Sequence, residues 1–119
     1  QNDVRELQLA KGAIAAGIRI LLTRCGAEHD DLTRLYLAGA FGNYINRASA
    51  RRIGLIDFPP ETVTPAGNTA LLGAKLALFN SSEEAYAYSH LRSTIEHISL
   101  NTDPQFQGVF VEEMTFPAS

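Results

Sequence analysis

One stretch in the first half of the chain, Arg34-Leu35-Tyr36-Leu37-Ala38-Gly39-Ala40-Phe41-Gly42-Asn43, constrains the fold more than any other. An apolar run from Leu35 to Ala38 stops at Gly39, Gly42 follows three residues later, and Asn46 introduces a helical pattern over residues 47–53. A strand that ends in a glycine-lined turn exposes backbone N–H groups and lets a ligand approach without meeting a Cβ. The turn is therefore the leading candidate for a binding site. Read without a ligand, the same residues are an ordinary strand-to-helix turn.

The rest of the pattern fits an α/β protein. Over residues 4–25, Val4, Leu7, Ile14, Ile18, Leu21 and Cys25 form one apolar stripe, and Leu9, Ala13, Ala16 and Ile20 a second. Two stripes predict a helix covered on most sides, as when a helix lies on a sheet. Asp3 is the expected cap at its start, and Gly26 suits its C-terminal stop. Residues 27–32 are polar connection, 34–38 a buried strand, and 47–53 a short helix closed by Gly54. A turn at 57–60 leads to a second strand at 62–66, where Pro65 limits pairing. A helix starts at Asn68 with Leu71, Leu72, Leu76, Ala77 and Phe79 as its apolar residues. Ser81-Ser82-Glu83-Glu84 is a capping-box signal for the next helix, to about residue 96. A short strand at 97–100 and a last helix at 103–114 complete the series. Pro104 falls in the first turn of that helix, and Phe106, Phe110, Val111 and Met114 share one face. Alternating helix and strand predict a short, mainly parallel sheet flanked by helices.

The usual nucleotide loops are missing. Gly39-Ala40-Phe41-Gly42 is not the dinucleotide fingerprint, and the stretch from Gly67 through Gly73 to Lys75 has the wrong spacing for a phosphate loop. A second glycine turn, Ala66-Gly67-Asn68, does precede a helix rich in small residues (Thr69, Ala70, Gly73, Ala74, Ala77), which suits close approach to a neighbour or a ligand. Lys11 interrupts an apolar stripe, in register with Val4 and Ile18, and Gln8 lies one turn earlier. Either the lysine snorkels to water, or the pair projects into a cleft to hydrogen-bond a polar ligand. Arg47, Arg51 and Arg52 form a small basic patch, read as a solvated face or as a contact for a phosphate or an acidic partner. His29, His90 and His97 lack metal-ligand spacing. Asn80-Ser81-Ser82 matches a glycosylation acceptor but reads better as a cap region.

Composition narrows the rest. The chain has 119 residues, enough for one domain or part of one, and is 45% hydrophobic. A formal charge of −3 with dispersed cations lacks the basic footprint of a nucleic-acid binder. No uninterrupted apolar span long enough to cross a membrane is present, and the start, Gln1-Asn2-Asp3-Val4, is no signal peptide. Cys25 is the single cysteine, too few for an intrachain disulfide, a zinc site or an iron–sulfur cluster, and it fits a reducing, cytoplasmic setting. The chain starts inside a helical pattern without Met, so a fragment of a longer protein is expected, with Phe116-Pro117-Ala118-Ser119 resembling a natural terminus.

These residues resemble a known family. The string Leu37-Ala38-Gly39-Ala40-Phe41-Gly42-Asn43-Tyr44-Ile45 is similar to the adenosine motif of the superfamily of acetate and sugar kinases, heat-shock chaperones and actin. Four segments in order, residues 1–11, 36–45, 52–55 and 106–117, resemble the carboxy-terminal domain of ATP-dependent reductive activators of corrinoid proteins, so the likeness spans essentially the whole chain. It implies the carboxy-terminal portion (1–119) of an actin-like, ribonuclease H-like ATPase lobe. It also implies ATP with Mg, and a 2Fe–2S cluster in an upstream domain. The implied activity returns an inactivated Co(II) corrinoid protein of a methyltransferase system to Co(I). By the same likeness Gly39, Ala40, Phe41, Gly42 and Asn43 would meet the nucleotide, with Gln8 and Lys11 in support and Gly67 on the connecting segment. Ala40 departs from the glycine common in sugar kinases and chaperones, and the two phosphate-binding motifs are absent, so this piece is expected to be non-catalytic. A docking module for the corrinoid protein, and part of a small-molecule kinase, are the competing readings. A severed lobe would also expose a strand edge and apolar helix surface, so a homodimer of the fragment is expected.

Overall fold

The computed structural model describes residues 1–79 and 82–118, with the side chains of Phe41 and residues 82–87 outside that description. The chain runs α1 (Asn2–Cys25), β1 (Leu35–Ala38), α2 (Ala40–Tyr44), α3 (Arg47–Arg52), β2 (Val63–Gly67), α4 (Thr69–Phe79), α5 (Ser82–Thr94) and α6 (Phe106–Glu113), with single 3-10 turns at His29–Asp31 and Leu100–Thr102. The α/β class and the parallel sheet follow the sequence pattern. β1 and β2 pair in parallel, Leu35 opposite Val63 and Leu37 opposite Pro65, and the register then shifts so that Ala38 faces Gly67. Both strands are edges, which is where a proline that cannot donate to the ladder is tolerated.

The core is small and sits beneath the sheet. Ile56, Phe58 and Val63 are buried, with Ile18, Leu32, Leu35, Leu37 and Leu55 packed around them. His29 stacks on Phe58 at 4.3 Å and covers one side. Arg47 ties α3 to the approach of β2 by donating to the carbonyls of Pro60 and Val63, at 3.3 and 2.9 Å.

α1 departs from the expectation of cover on most sides. Its buried residues, Lys11, Gly12, Ala16, Gly17 and Ile20, form one face. That face receives α6 and the residues beside it: a Cβ on Gly12 would come within 3.0 Å of Met114, and one on Gly17 within 3.3 Å of Leu100. Val4, Leu7, Ile14 and Leu21 stay exposed. Of that stripe Ile18 joins the core, while these four side chains remain 42–53% exposed. α4 is the extreme case, with no buried residue, and a Cβ on Gly73 would meet no atom within 4 Å.

Four local expectations need correction. Residues 97–99 carry no regular structure, and 100–102 form a 3-10 turn where a strand was expected. The last helix starts at Phe106 and not at residue 103: the Asp103 N–H still closes the 3-10 turn on the Leu100 carbonyl at 3.2 Å, and its carboxylate opens the next turn by accepting the Gln105 N–H at 2.9 Å. Gln1 is the cap residue of α1, which puts Asp3 in the first turn, while Gly26 closes the helix in the left-handed conformation, φ 65°. A short helix, α2, begins directly at Ala40 where only a turn was expected, and α3 then follows at Arg47 as expected. The capping-box and glycosylation readings begin at Asn80 and Ser81, outside the described residues.

Candidate functional site

Two glycine turns lie side by side at the carboxyl end of the sheet. Gly39 follows β1 with φ 89°, and Gly67 ends β2 with φ 65°. Both angles lie in the left-handed region, which side chains bearing a Cβ rarely enter. The register shift brings the two together, and the Gly39 N–H donates to the Gly67 carbonyl at 2.7 Å. A Cβ added to either glycine would meet nothing within 4 Å, so both turns face open space. A helix leaves each turn: α2 from Gly39, and α4 from Gly67 with Asn68 as its cap, accepting the Leu71 N–H at 3.0 Å. The crevice outside the carboxyl ends of parallel strands is where α/β sheets bind ligands.

Gly42 does a different job. A Cβ there would lie 2.5 Å from the Leu37 carbonyl oxygen and 2.9 Å from the Leu37 Cβ, so its missing side chain lets α2 lie directly on β1. Gly39 thus shapes the open surface while Gly42 holds the helix beneath it. Ala40 and Asn43 are exposed on α2, and the Phe41 backbone belongs to the same helix. Gly39, Ala40, Phe41, Gly42, Asn43 and Gly67 therefore form one constellation.

Gln8 and Lys11 belong elsewhere. Lys11 is 1% exposed, and its Nζ donates to the Thr115 carbonyl at 2.6 Å, just beyond α6. The Phe116 ring centroid lies 5.9 Å away. The lysine neither snorkels to water nor lines the glycine turns. It lines a separate cleft of about 1060 Å³, bounded by α3, Gly54 and the segment after α6, which includes neither Gly39 nor Gly67. Gln8 is half-buried one turn earlier. The basic patch also changes: Arg47 is engaged with two carbonyls, and Arg51 and Arg52 line the Lys11 cleft.

The role of Gly54 in that cleft went unrecognised in the sequence. Its φ is 72°, and a Cβ on it would come within 3.0 Å of Pro117 and 3.1 Å of the Lys11 Nζ. A glycine directly after a short helix was legible only as a helix stop. What it approaches depends on the chain terminus folding back across α1. At the other end of α1, Arg24 forks onto Asp103 at 2.6 and 3.1 Å. This bond, with the Gln105 N–H, holds the Asp103 carboxyl below its ordinary range.

Comparison with known proteins agrees with this architecture. Residues 1–119 match the family described as the C-terminal domain of RACo, the ASKHA domain. The chain belongs to this family. It is 40% identical over 117 residues to the "Corrinoid activation enzyme RamQ" of Eubacterium limosum, covering 98% of this chain and 20% of that protein. It is 29% identical over 117 residues to the "[Co(II) methylated amine-specific corrinoid protein] reductase" of Methanosarcina barkeri, covering 98% of this chain and 22% of that one. A solved "Reductive activator for corrinoid,iron-sulfur protein" superposes with a TM-score of 0.83 at 30% identity, over 98% of this chain and 18% of that chain. The ASKHA chain spans about a fifth of the length of these relatives.

Proposed function

We propose that this ASKHA domain is the carboxy-terminal part of an ATP-dependent activator that returns a corrinoid protein from Co(II) to Co(I), and that it supplies the adenosine side of the nucleotide site. The pairing of Gly39 with Gly67 carries this reading: two positive-φ glycines, joined by one hydrogen bond, open to the crevice at the strand ends. Space that a Cβ would fill at either position suits the close approach of a nucleoside. The backbone N–H groups at the start of α2 are the donors we assign to it, with Ala40, Phe41 and Asn43 around it and Gly42 holding the helix in place. ATP with Mg would bring a transferable phosphoryl group. This chain's residues bind and orient the nucleoside end, and the phosphate-binding motifs fall to the remainder of the longer protein. The printed names of the relatives support a corrinoid protein as partner.

A 2Fe–2S cluster does not fit this chain. Its single thiol, Cys25, is exposed, and among the described residues no group of three or more His, Cys, Asp and Glu side chains could hold a metal. Such a cluster belongs, in our reading, to a preceding domain. No described helix is long and apolar enough to cross a membrane, and we assign the protein to the cytoplasm.

The test is ADP titration of the full-length protein and its Gly39→Val variant, with the visible spectrum of the corrinoid protein as a second readout. Loss of ADP binding and of Co(I) formation, with the fold intact, is the expected result. Unchanged ADP affinity in the variant would remove the glycine turns from the nucleotide site.

A further inference from the structure

Tyr44 ends α2 and is 87% exposed, more than any other large hydrophobic side chain among the described residues. No hydrogen bond or ring contact engages its side chain within those residues. Other exposed rings differ: Tyr36 accepts from Arg34 at 3.4 Å, and Phe79 stands at the far end of α4. Exposure alone is common for single apolar side chains. The surroundings of Tyr44 single it out. Residues three and four apart share a helix face, so Ala40, Asn43 and Tyr44 line one side of α2. All three are exposed, while Gly42 faces the opposite way, onto Leu37 of β1. At roughly 1.5 Å per residue, Tyr44 stands about 6 Å along the helix from Ala40. A helical side chain leans toward the N-terminus and covers the preceding turn, which here leads to Ala40 and Gly39. The space there is the open space of the two glycine turns.

The backbone on either side of Tyr44 is pinned. Gly42 lies on Leu37, Ile45 is half-buried, and Asn46 caps α3 by accepting the Ser49 N–H at 2.9 Å. The ring thus stands on a fixed support, and holding a tyrosine in place freezes only two side-chain torsions. An uncharged ring fits the flat, uncharged part of a nucleotide and not its phosphates. We propose that Tyr44 is a base-binding residue, its ring stacking on the base of the nucleotide whose nucleoside lies at Gly39 and Gly67. The small side chain of Ala40 keeps the face between them low enough for ring and base to meet. This assignment rests on the nucleotide reading of the glycine turns.

The test is calorimetric titration of ADP into the full-length protein and its Tyr44→Phe, Tyr44→Ala and Gly39→Val variants, with a urea unfolding curve for each. Tyr44→Phe keeps the ring and should bind ADP as the parent does. Tyr44→Ala should bind about tenfold or more weakly with an unchanged unfolding midpoint. Nitration of Tyr44 by tetranitromethane, read by mass spectrometry, reports on the ring without a variant: ADP should slow it, and pyrophosphate, which has no base, should not. Parental ADP affinity in Tyr44→Ala, with loss in Gly39→Val, would overturn the stacking role and leave the glycine turns in the nucleotide site. Parental affinity in both variants would remove both. A Tyr44 that resists nitration without ADP, or a Tyr44→Ala variant with a lowered unfolding midpoint, would place the ring under the remainder of the longer protein and also overturn the proposal.

Discussion

Replacing Gly42 with alanine puts a methyl group into space that α2 has already closed. The new carbon would lie 2.5 Å from the Leu37 carbonyl oxygen, about 0.9 Å short of the ordinary 3.4 Å contact, and 2.9 Å from the Leu37 carbonyl carbon and Cβ. Two of these three atoms are backbone in β1, so rotating a side chain does not relieve the overlap. Overpacking of this kind costs roughly 1–3 kcal/mol. Alanine in a helix recovers at most about 1 kcal/mol over glycine, and less in a helix as short as α2. The net expectation is a loss of about 1–2 kcal/mol. Gly108→Ala in α6 is the control, since it gains the same helix propensity and its Cβ meets nothing within 4 Å. Urea unfolding of the full-length protein should give a lower midpoint for Gly42→Ala and an equal or higher one for Gly108→Ala. Lifting α2 also displaces the Gly39 amide, so ADP affinity should fall, by up to about tenfold for a 1.4 kcal/mol disturbance. A Gly42→Ala midpoint at or above the parent's would refute the packing role assigned to this glycine.

Gly39→Val should lower ADP affinity more than stability, because the φ of 89° costs a β-branched residue roughly 1–3 kcal/mol while the side chain enters the nucleoside's space; parallel titration and denaturation separate the two. Gly54→Ala, with φ 72° and Pro117 at 3.0 Å, should destabilise by about 1–3 kcal/mol and speed hydrogen exchange at residues 114–118. The Asp103 carboxyl is held low by Arg24 first and the Gln105 N–H second, so its contribution is present above the ordinary carboxylate range and lost as pH falls through the depressed folded value. Asp103→Asn should therefore be less stable than the parent at neutral pH and converge with it in acid, as unfolding curves across pH would show. Val4, Leu7, Ile14 and Leu21 on α1, with Leu71, Leu72 and Leu76 on α4, leave apolar surface open, and sedimentation of the isolated chain at micromolar concentration should show a dimer.

Much of the fold was legible in the sequence because local signals carried it. The run Leu35 to Ala38 ending at Gly39 marked β1, Gly26 marked the end of α1, and Asn46 marked the start of α3, where its side chain accepts the Ser49 N–H at 2.9 Å. The failures were long-range. Lys11 read as a ligand-facing or snorkelling residue because its acceptor lies 104 positions away. Residues 97–100 looked like a strand by composition, yet among the described residues they join neither open edge of the β1–β2 pair. The first stripe of α1 read as core because periodicity reports a face that is fit to be covered, not what covers it. Of the candidate site, the glycines showed in the sequence, but their meeting depends on a one-residue register shift that no local pattern announces.

The bond between Lys11 and Thr115 ends on a main-chain oxygen. Position 115 is gripped by Lys11 through its main chain, while its hydroxyl donates to the Glu112 carbonyl at 2.9 Å, so serine should replace it more readily than a residue without a hydroxyl. Gly12 and Gly54 are read through the carbon they lack, and drift there is closed. Trimming the chain before residue 115 would strand a buried charge rather than merely shorten a tail, so shortened versions should end beyond Pro117 and carry any affinity tag at the opposite end.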